Sequence, residues 1–208
     1  MQKWCAGRHF SGGRGYGMRM FVAIELPEAA RNAVHALGLK LRRKKDGASW
    51  VRPENMHLTL RFCGDVPDAQ TRPLIESLYG RISPVRWPVL LTRGIGAFPS
   101  VRRPSILWAG LETLSGDLDA LQQAAEAAAS DIGLPPETRA FHPHVTIARV
   151  RVQDKAGAYA ALLAPYLEPG ATPEFGQAFE VRNVVLFSSQ LTPRGPVYKV
   201  VREIPLHE

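Results

Sequence analysis

Cysteine is scarce in this chain of 208 residues: only Cys5 and Cys63 are present. Two thiols so far apart give neither a metal motif nor a disulfide framework, which excludes the small stapled secreted folds and fits a reducing compartment. Long apolar runs are missing too. No eighteen consecutive residues lack polar or charged side chains, so no spanning helix is written into the sequence. The N-terminus has basic residues but no apolar h-region, so it does not read as a signal peptide, and the expectation is a cytoplasmic protein without membrane contact. What remains, 45% hydrophobic and 22% charged residues, is the composition of a folded globular protein and excludes disorder, collagen and coiled coil as whole-chain readings.

Acidic residues are fewer than basic ones, 19 against 26, for a net charge of +7. That excess is unevenly placed. Lys3, Arg8, Arg14 and Arg19 lie in the first nineteen residues with no acid among them, leaving +3 for the rest. Residues 1–18, with the Gly-rich stretch Ser11–Gly17, show no apolar period and read as a disordered leader; the competing reading is a basic arm on RNA phosphates. Residues 19–208 read as a single domain.

Met20–Glu25 is a short apolar strand closed by Leu26 and Pro27. A helix follows with Val34, Leu37 and Leu41 at helical spacing, ending in the basic run Arg42–Lys45. His57–Cys63 is a second strand. Residues 69–82 place Leu74, Ile75, Leu78 and Ile82 on one side of a helix. Strands are expected over 85–92 and 105–112, with Gly94–Pro99 as an exposed turn between them. The strongest helical period runs over 114–132 through Leu114, Leu118, Leu121, Ala125, Ala128 and Ile132, with Gly133 as its stop. A strand over 141–150, a helix over about 155–165 and strands over 180–189 and 198–204 complete the chain.

Two of these strands open alike: His57-Leu58-Thr59-Leu60 and His144-Val145-Thr146-Ile147. Side chains two apart on a strand share a face, so each His and Thr form a polar stripe whose apolar neighbours point the other way. With six histidines and eight threonines, chance placement gives about 0.2 such pairs, so two carry weight. The repeated plan predicts an α+β fold of two lobes, each an antiparallel sheet flanked by helices, related by a pseudo-twofold, with a shared cleft between the sheets.

These residues resemble the 2H phosphoesterases, and within them the RNA 2′,3′-cyclic phosphodiesterases historically called 2′-5′ RNA ligases. The likeness lies in Arg19–Pro27, Arg52–Phe62, Ile106–Leu111, Phe141–Arg149 and Gly195–Tyr198, and spans about residues 19–206. It implies a bilobal fold with the two motifs facing each other across a cleft, and hydrolysis of 2′,3′-cyclic phosphate ends to 2′-phosphomonoesters. It also implies His57 as proton donor, His144 as proton acceptor, and Arg149 as a basic contact to phosphate or base. The reverse reaction, with a 5′-hydroxyl in place of water, would form a 2′-5′ linkage.

The chemistry suits the residue types. Opening a cyclic phosphate needs in-line attack by water on one side of phosphorus and protonation of the departing ribose oxygen on the other. Histidine titrates near neutrality and can serve either end. Thr59 and Thr146 would donate to the non-bridging oxygens, so no metal or other cofactor is expected. Strand parity conflicts with the resemblance over Arg149: five residues from His144, it faces away from the cleft unless the strand ends or bulges. Arg61, four from His57, faces the cleft by the same rule. Both are retained as substrate contacts. Phe21 and Trp108 are candidates for nucleobase stacking, against a default of core packing. His142 has no carboxylate or cysteine set around it to make a metal site.

The expected partner is RNA with a 2′,3′-cyclic phosphate end, or a cyclic nucleotide, bound by a monomer. Alternatives are the same chemistry on a small cyclic nucleotide, ligation of tRNA halves, and a non-catalytic module that holds RNA ends.

Overall fold

The computed structural model describes residues 17–43, 47–151, 156–167, 174–193 and 195–207. The expected leader lies outside them except for Gly17 and Met18, which already belong to the first strand. Lys44 and Lys45 of the basic run lie outside as well.

The chain order is β1 (Gly17–Glu25), α1 (Glu28–Leu41), β2 (Ala48–Trp50), a 3₁₀ turn (Pro53–Asn55), β3 (His57–Pro67), α2 (Asp68–Ile82), β4 (Val89–Phe98) and β5 (Ile106–Ser115). Then come α3 (Leu118–Asp131), β6 (His144–Val150), α4 (Ala156–Leu167), β7 (Glu174–Glu180), β8 (Asn183–Thr192) and β9 (Gly195–Pro205). The pairings are antiparallel, in the order β7-β4-β5-β6-β3-β1-β8-β9, with β2 on β6. Between β6 and β3 a single pair, Leu58 with Val145, joins the ladders, so the path divides there into two four-stranded walls. β3-β1-β8-β9 is backed by α2 and α3, and β6-β5-β4-β7 by α1 and α4.

The two lobes are interleaved in sequence. α1 leaves β1 but packs on β6 and β7, while α3 leaves β5 but packs on β3. The two sequence halves therefore do not each make a lobe. Instead β1-α1-β3-α2 and β5-α3-β6-α4 correspond, and each exchanges its first helix with the other. Val34, Leu37 and Leu41 of α1 and Leu121, Ala125 and Ala128 of α3 are buried in one core that runs through both lobes. Leu58 and Val145 sit fully buried at its centre, each worth roughly 1.5–3 kcal/mol of burial.

Two expectations need correction. Helix α3 starts at Leu118, where the Asp117 side chain accepts from the Ala120 N–H at 2.8 Å, and Leu114 belongs to β5 and is 49% exposed. Gly116 separates the two elements with φ of +75°, and a Cβ there would meet the Pro88 Cα at 2.6 Å. Gly94–Phe98 is strand, not exposed turn. The β4–β5 register slips between Thr92–Leu111 and Ile95–Ala109, making Arg93 and Gly94 a bulge, and the hairpin turn falls at 99–105. Strands β2 and β7 had no expectation at all.

Candidate active site

The two His-x-Thr strands meet at the seam. Because Leu58 pairs antiparallel with Val145 and both side chains enter the core, the residues on either side of them project together into the cleft between the walls. Continuing that register by one residue sets His57 opposite Thr146 and Thr59 opposite His144. All four side chains are partly buried.

Each histidine is fixed in the same way. His57 Nδ1 lies 2.8 Å from the Asn55 carbonyl oxygen, and His144 Nδ1 lies 2.6 Å from the His142 carbonyl oxygen, two residues upstream in both cases. A carbonyl only accepts, so Nδ1 carries the proton and Nε2 is left free to take or give one. Asn55 is itself anchored, its Nδ2 donating to the Pro196 carbonyl at 3.2 Å.

Burial holds both imidazoles below their ordinary pKa. His57 is pushed down to about 4, chiefly by desolvation; its bond to Asn55 opposes this, and the charges of Arg149 and His144 add to it. His144 is lowered by the same leading cause, opposed by its bond to His142, with His142 and Arg149 adding to it. The neighbours differ. His57 is surrounded by Phe21 at 4.8 Å, Tyr198 edge-on at 5.3 Å and Phe187 at 6.3 Å, whereas His144 has Phe98 at 5.1 Å, Trp108 at 6.3 Å and His142 at 6.5 Å.

Arg149 reaches the cleft through a bulge. On β5 and β6, Trp108 pairs with Thr146 but Leu107 pairs with Ala148, so Ile147 is an extra residue and the alternation reverses after it. Arg149 is therefore exposed on the same face as His144 and Thr146, and its charge acts on His57, His144 and Tyr198 alike.

A matching bulge removes Arg61 from the site. Ala23 pairs with Thr59 but Val22 with Arg61, which makes Leu60 the extra residue. Arg61 turns into the core, 7% exposed, with Nε 2.7 Å from the Glu126 carboxylate. Its Nη1 donates to the Phe62 carbonyl at 2.8 Å and its Nη2 to the Pro135 carbonyl. The expected substrate contact is thus a strut beneath the wall. Phe62, five residues after His57 as Arg149 is five after His144, takes the cleft face and is 54% exposed.

Phe21 is corrected as well. At 3% exposure, stacked on Phe187 with ring centroids 5.2 Å apart, it is a floor for His57 and offers no open face to a base. Trp108 lies flat on Gly96, where a Cβ would come 2.2 Å from its ring, and packs against His142 and Phe98. Tyr198 is the other residue that sequence reasoning left without a role. It stands edge-on to His57 and Phe21, and burial raises its hydroxyl pKa against the pull of Arg149 and Arg19. Its one sequence signal was the Gly195–Tyr198 likeness.

A bilobal α+β fold with paired His-x-Thr strands across a cleft is the architecture of a two-histidine phosphoesterase. The LigT-like phosphoesterase family matches residues 24–108 and 111–198, and the chain belongs to it. It is 35% identical over 188 residues to the RNA 2′,3′-cyclic phosphodiesterase of Aquifex aeolicus, covering 89% of this chain and 94% of that one. Its identity to the enzyme of the same name from Thermotoga maritima is 32% over 189 residues, with the same coverages. Among solved structures, a Thermus thermophilus protein superposes with a TM-score of 0.73 at 26% identity, covering 90% of this chain and 97% of the other. LigT of Escherichia coli, crystallised with 3′-AMP, shares the fold with a TM-score of 0.71 at 21% identity, covering 92% and 99%.

Proposed function

We propose that the chain hydrolyses 2′,3′-cyclic phosphate ends of RNA to 2′-phosphomonoesters. The observation that carries this is the pair of histidines on opposite walls, each with Nδ1 tied to a backbone carbonyl and Nε2 left free.

In this reading, His144 Nε2 takes a proton from water as the water oxygen bonds to phosphorus. The P–O3′ bond breaks, and the proton on His57 Nε2 passes to O3′, giving a 2′-phosphate and a 3′-hydroxyl. Solvent then restores both rings. Thr59 and Thr146 donate to the non-bridging oxygens, Arg149 adds positive charge beside them, and Phe62 offers its open face to the terminal base. With an RNA 5′-hydroxyl in place of water as the nucleophile, the same step would form the P–O5′ bond as P–O3′ breaks, giving a 2′-5′ linkage.

The low pKa of His57 has a consequence for binding. An imidazole at about 4 is neutral at pH 7, and the acid role needs it charged. The negative phosphate supplies the opposite charge, so the proton-donating form is created when substrate binds. The alkaline limb of kcat, which this proton donor sets in the complex, therefore lies at higher pH than expected from the free protein.

Turnover of a cyclic-ended RNA oligomer in excess EDTA tests the reading. Wild type should give the 2′-phosphate isomer, and His57→Ala and His144→Ala should each lose about 10²- to 10⁴-fold. A 3′-phosphate product, or variants as fast as wild type, would overturn it.

A further inference from the structure

Several arginines away from the cleft are neutralised: Arg72 by Glu76, Arg81 by Asp131, Arg93 by Glu112 and Arg182 by Glu180, with contacts of 2.6–2.8 Å. At the 99–105 turn they are not. Arg102 and Arg103 are exposed, and among the described residues neither meets a carboxylate, nor does Arg149 beside them. The sequence has no Asp or Glu anywhere in 94–111 or 138–151, nor in β2, whose Ser49 pairs with Arg149.

The turn is held close to the chemistry. The Ser105 N–H donates to the Phe98 carbonyl at 2.6 Å, closing it directly beyond the ring that packs on His144. The Ser105 carbonyl accepts from the Val150 N–H at 2.9 Å, and Ile106 pairs with Arg149, so the turn is pinned beside the arginine that faces the reacting phosphate. The Arg103 N–H donates to the Ser100 carbonyl at 3.2 Å, which braces the turn from within. The opposite wall ends differently. There Phe62 and Val200 are exposed, and Arg19 sits across from Asp65 on the next strand.

We infer that Arg102 and Arg103 bind the phosphodiester backbone upstream of the cyclic end, forming with Arg149 a track that selects RNA strands over cyclic mononucleotides. Unpaired guanidinium groups on an acid-free corner leading out of a phosphate site suit a polyanion, and a mononucleotide is too short to reach them. This rests on the hydrolytic reading of the cleft and specifies its substrate class.

The test compares Arg102→Ala/Arg103→Ala with wild type on a cyclic-ended RNA oligomer and on 2′,3′-cyclic AMP, across a salt series. The expected result is about a tenfold loss of kcat/KM on the oligomer, a change under about twofold on cyclic AMP, and a salt slope shallower by about 1.4. Arg72→Ala/Arg202→Ala, which removes equal charge from the α2–β9 face, should leave the oligomer unaffected. Equal losses on both substrates, no loss on the oligomer, or an equal loss in the distal variant would overturn the track. If wild type turns over neither substrate, the hydrolytic reading fails. The track is then judged by fluorescence anisotropy of a labelled oligomer bearing a 2′-phosphate: weaker binding by Arg102→Ala/Arg103→Ala upholds it, and unchanged binding refutes it.

Discussion

The two walls of the cleft have nearly the same backbone and differ in what it presents. Each begins with a histidine tied to the carbonyl two residues before it, continues with a threonine, bulges at the fourth residue and turns the sixth toward the cleft. On β3 that sixth residue is Phe62; on β6 it is Arg149. His57 is enclosed by Phe21, Phe187 and Tyr198, whereas His144 stands beside the exposed His142 and the arginine-rich turn. In the proposed reading the shared backbone supplies two equivalent proton-transfer groups, and the differing residues give the site a direction, an apolar side for a base and a cationic side for phosphates.

The contrast can be broken at the bulges. Arg61→Met should produce the largest effect, about 3 kcal/mol lost in urea unfolding, because Glu126 and the Pro135 and Phe62 carbonyls lose their partner beneath β3. An unchanged midpoint would mean that the strut does not hold the wall. Arg149→Met, on the other wall, should leave stability within about 0.5 kcal/mol and reduce kcat/KM by roughly 10- to 100-fold, the worth of charged hydrogen bonds to phosphate. It should also raise the pKa of both histidines, since Arg149 lowers both. Phe62→Ala should raise KM about tenfold with kcat little changed, as expected for a stacking platform. A fall in kcat alone would place Phe62 elsewhere in the mechanism.

The same enclosure of His57 gives a pH dependence of stability. His57 has a folded pKa of about 4 against 6.5 in the unfolded chain, so the unfolded state binds more protons between those values. Its contribution is complete above pH 6.5 and is lost as pH falls toward 4. Replacing it by Gln should flatten the unfolding free energy across that window, and an identical slope in the variant would show that His57 is not buried in neutral form.

The sequence made the two histidines and two threonines legible because strict alternation around Leu58 and Val145 survives folding intact. It misplaced Arg61 and left Arg149 in conflict because a bulge at Leu60 or Ile147 looks like any apolar strand residue. Only the partner strand reveals that it is extra. Gly94 and Gly96 read as turn residues, yet one serves a bulge and the other makes room for Trp108. Leu114 matched the helical period of α3 by chance of spacing, while the true start was marked by Gly116 and Asp117. The exchange of α1 and α3 between lobes was illegible for a different reason: an amphipathic face shows that a helix will be buried, not which sheet it will cover.

Nitrogen-15 NMR titration of the histidine rings, with and without a 2′-phosphate nucleotide, tests whether both imidazoles keep Nδ1 on a carbonyl and turn Nε2 to a phosphate. The expected result is Nδ1-protonated neutral rings for His57 and His144, both titrating below 6.5 in the free protein and both moving upward on binding. An Nε2-protonated neutral ring at either position, or pKa values that ignore the phosphate, would contradict it.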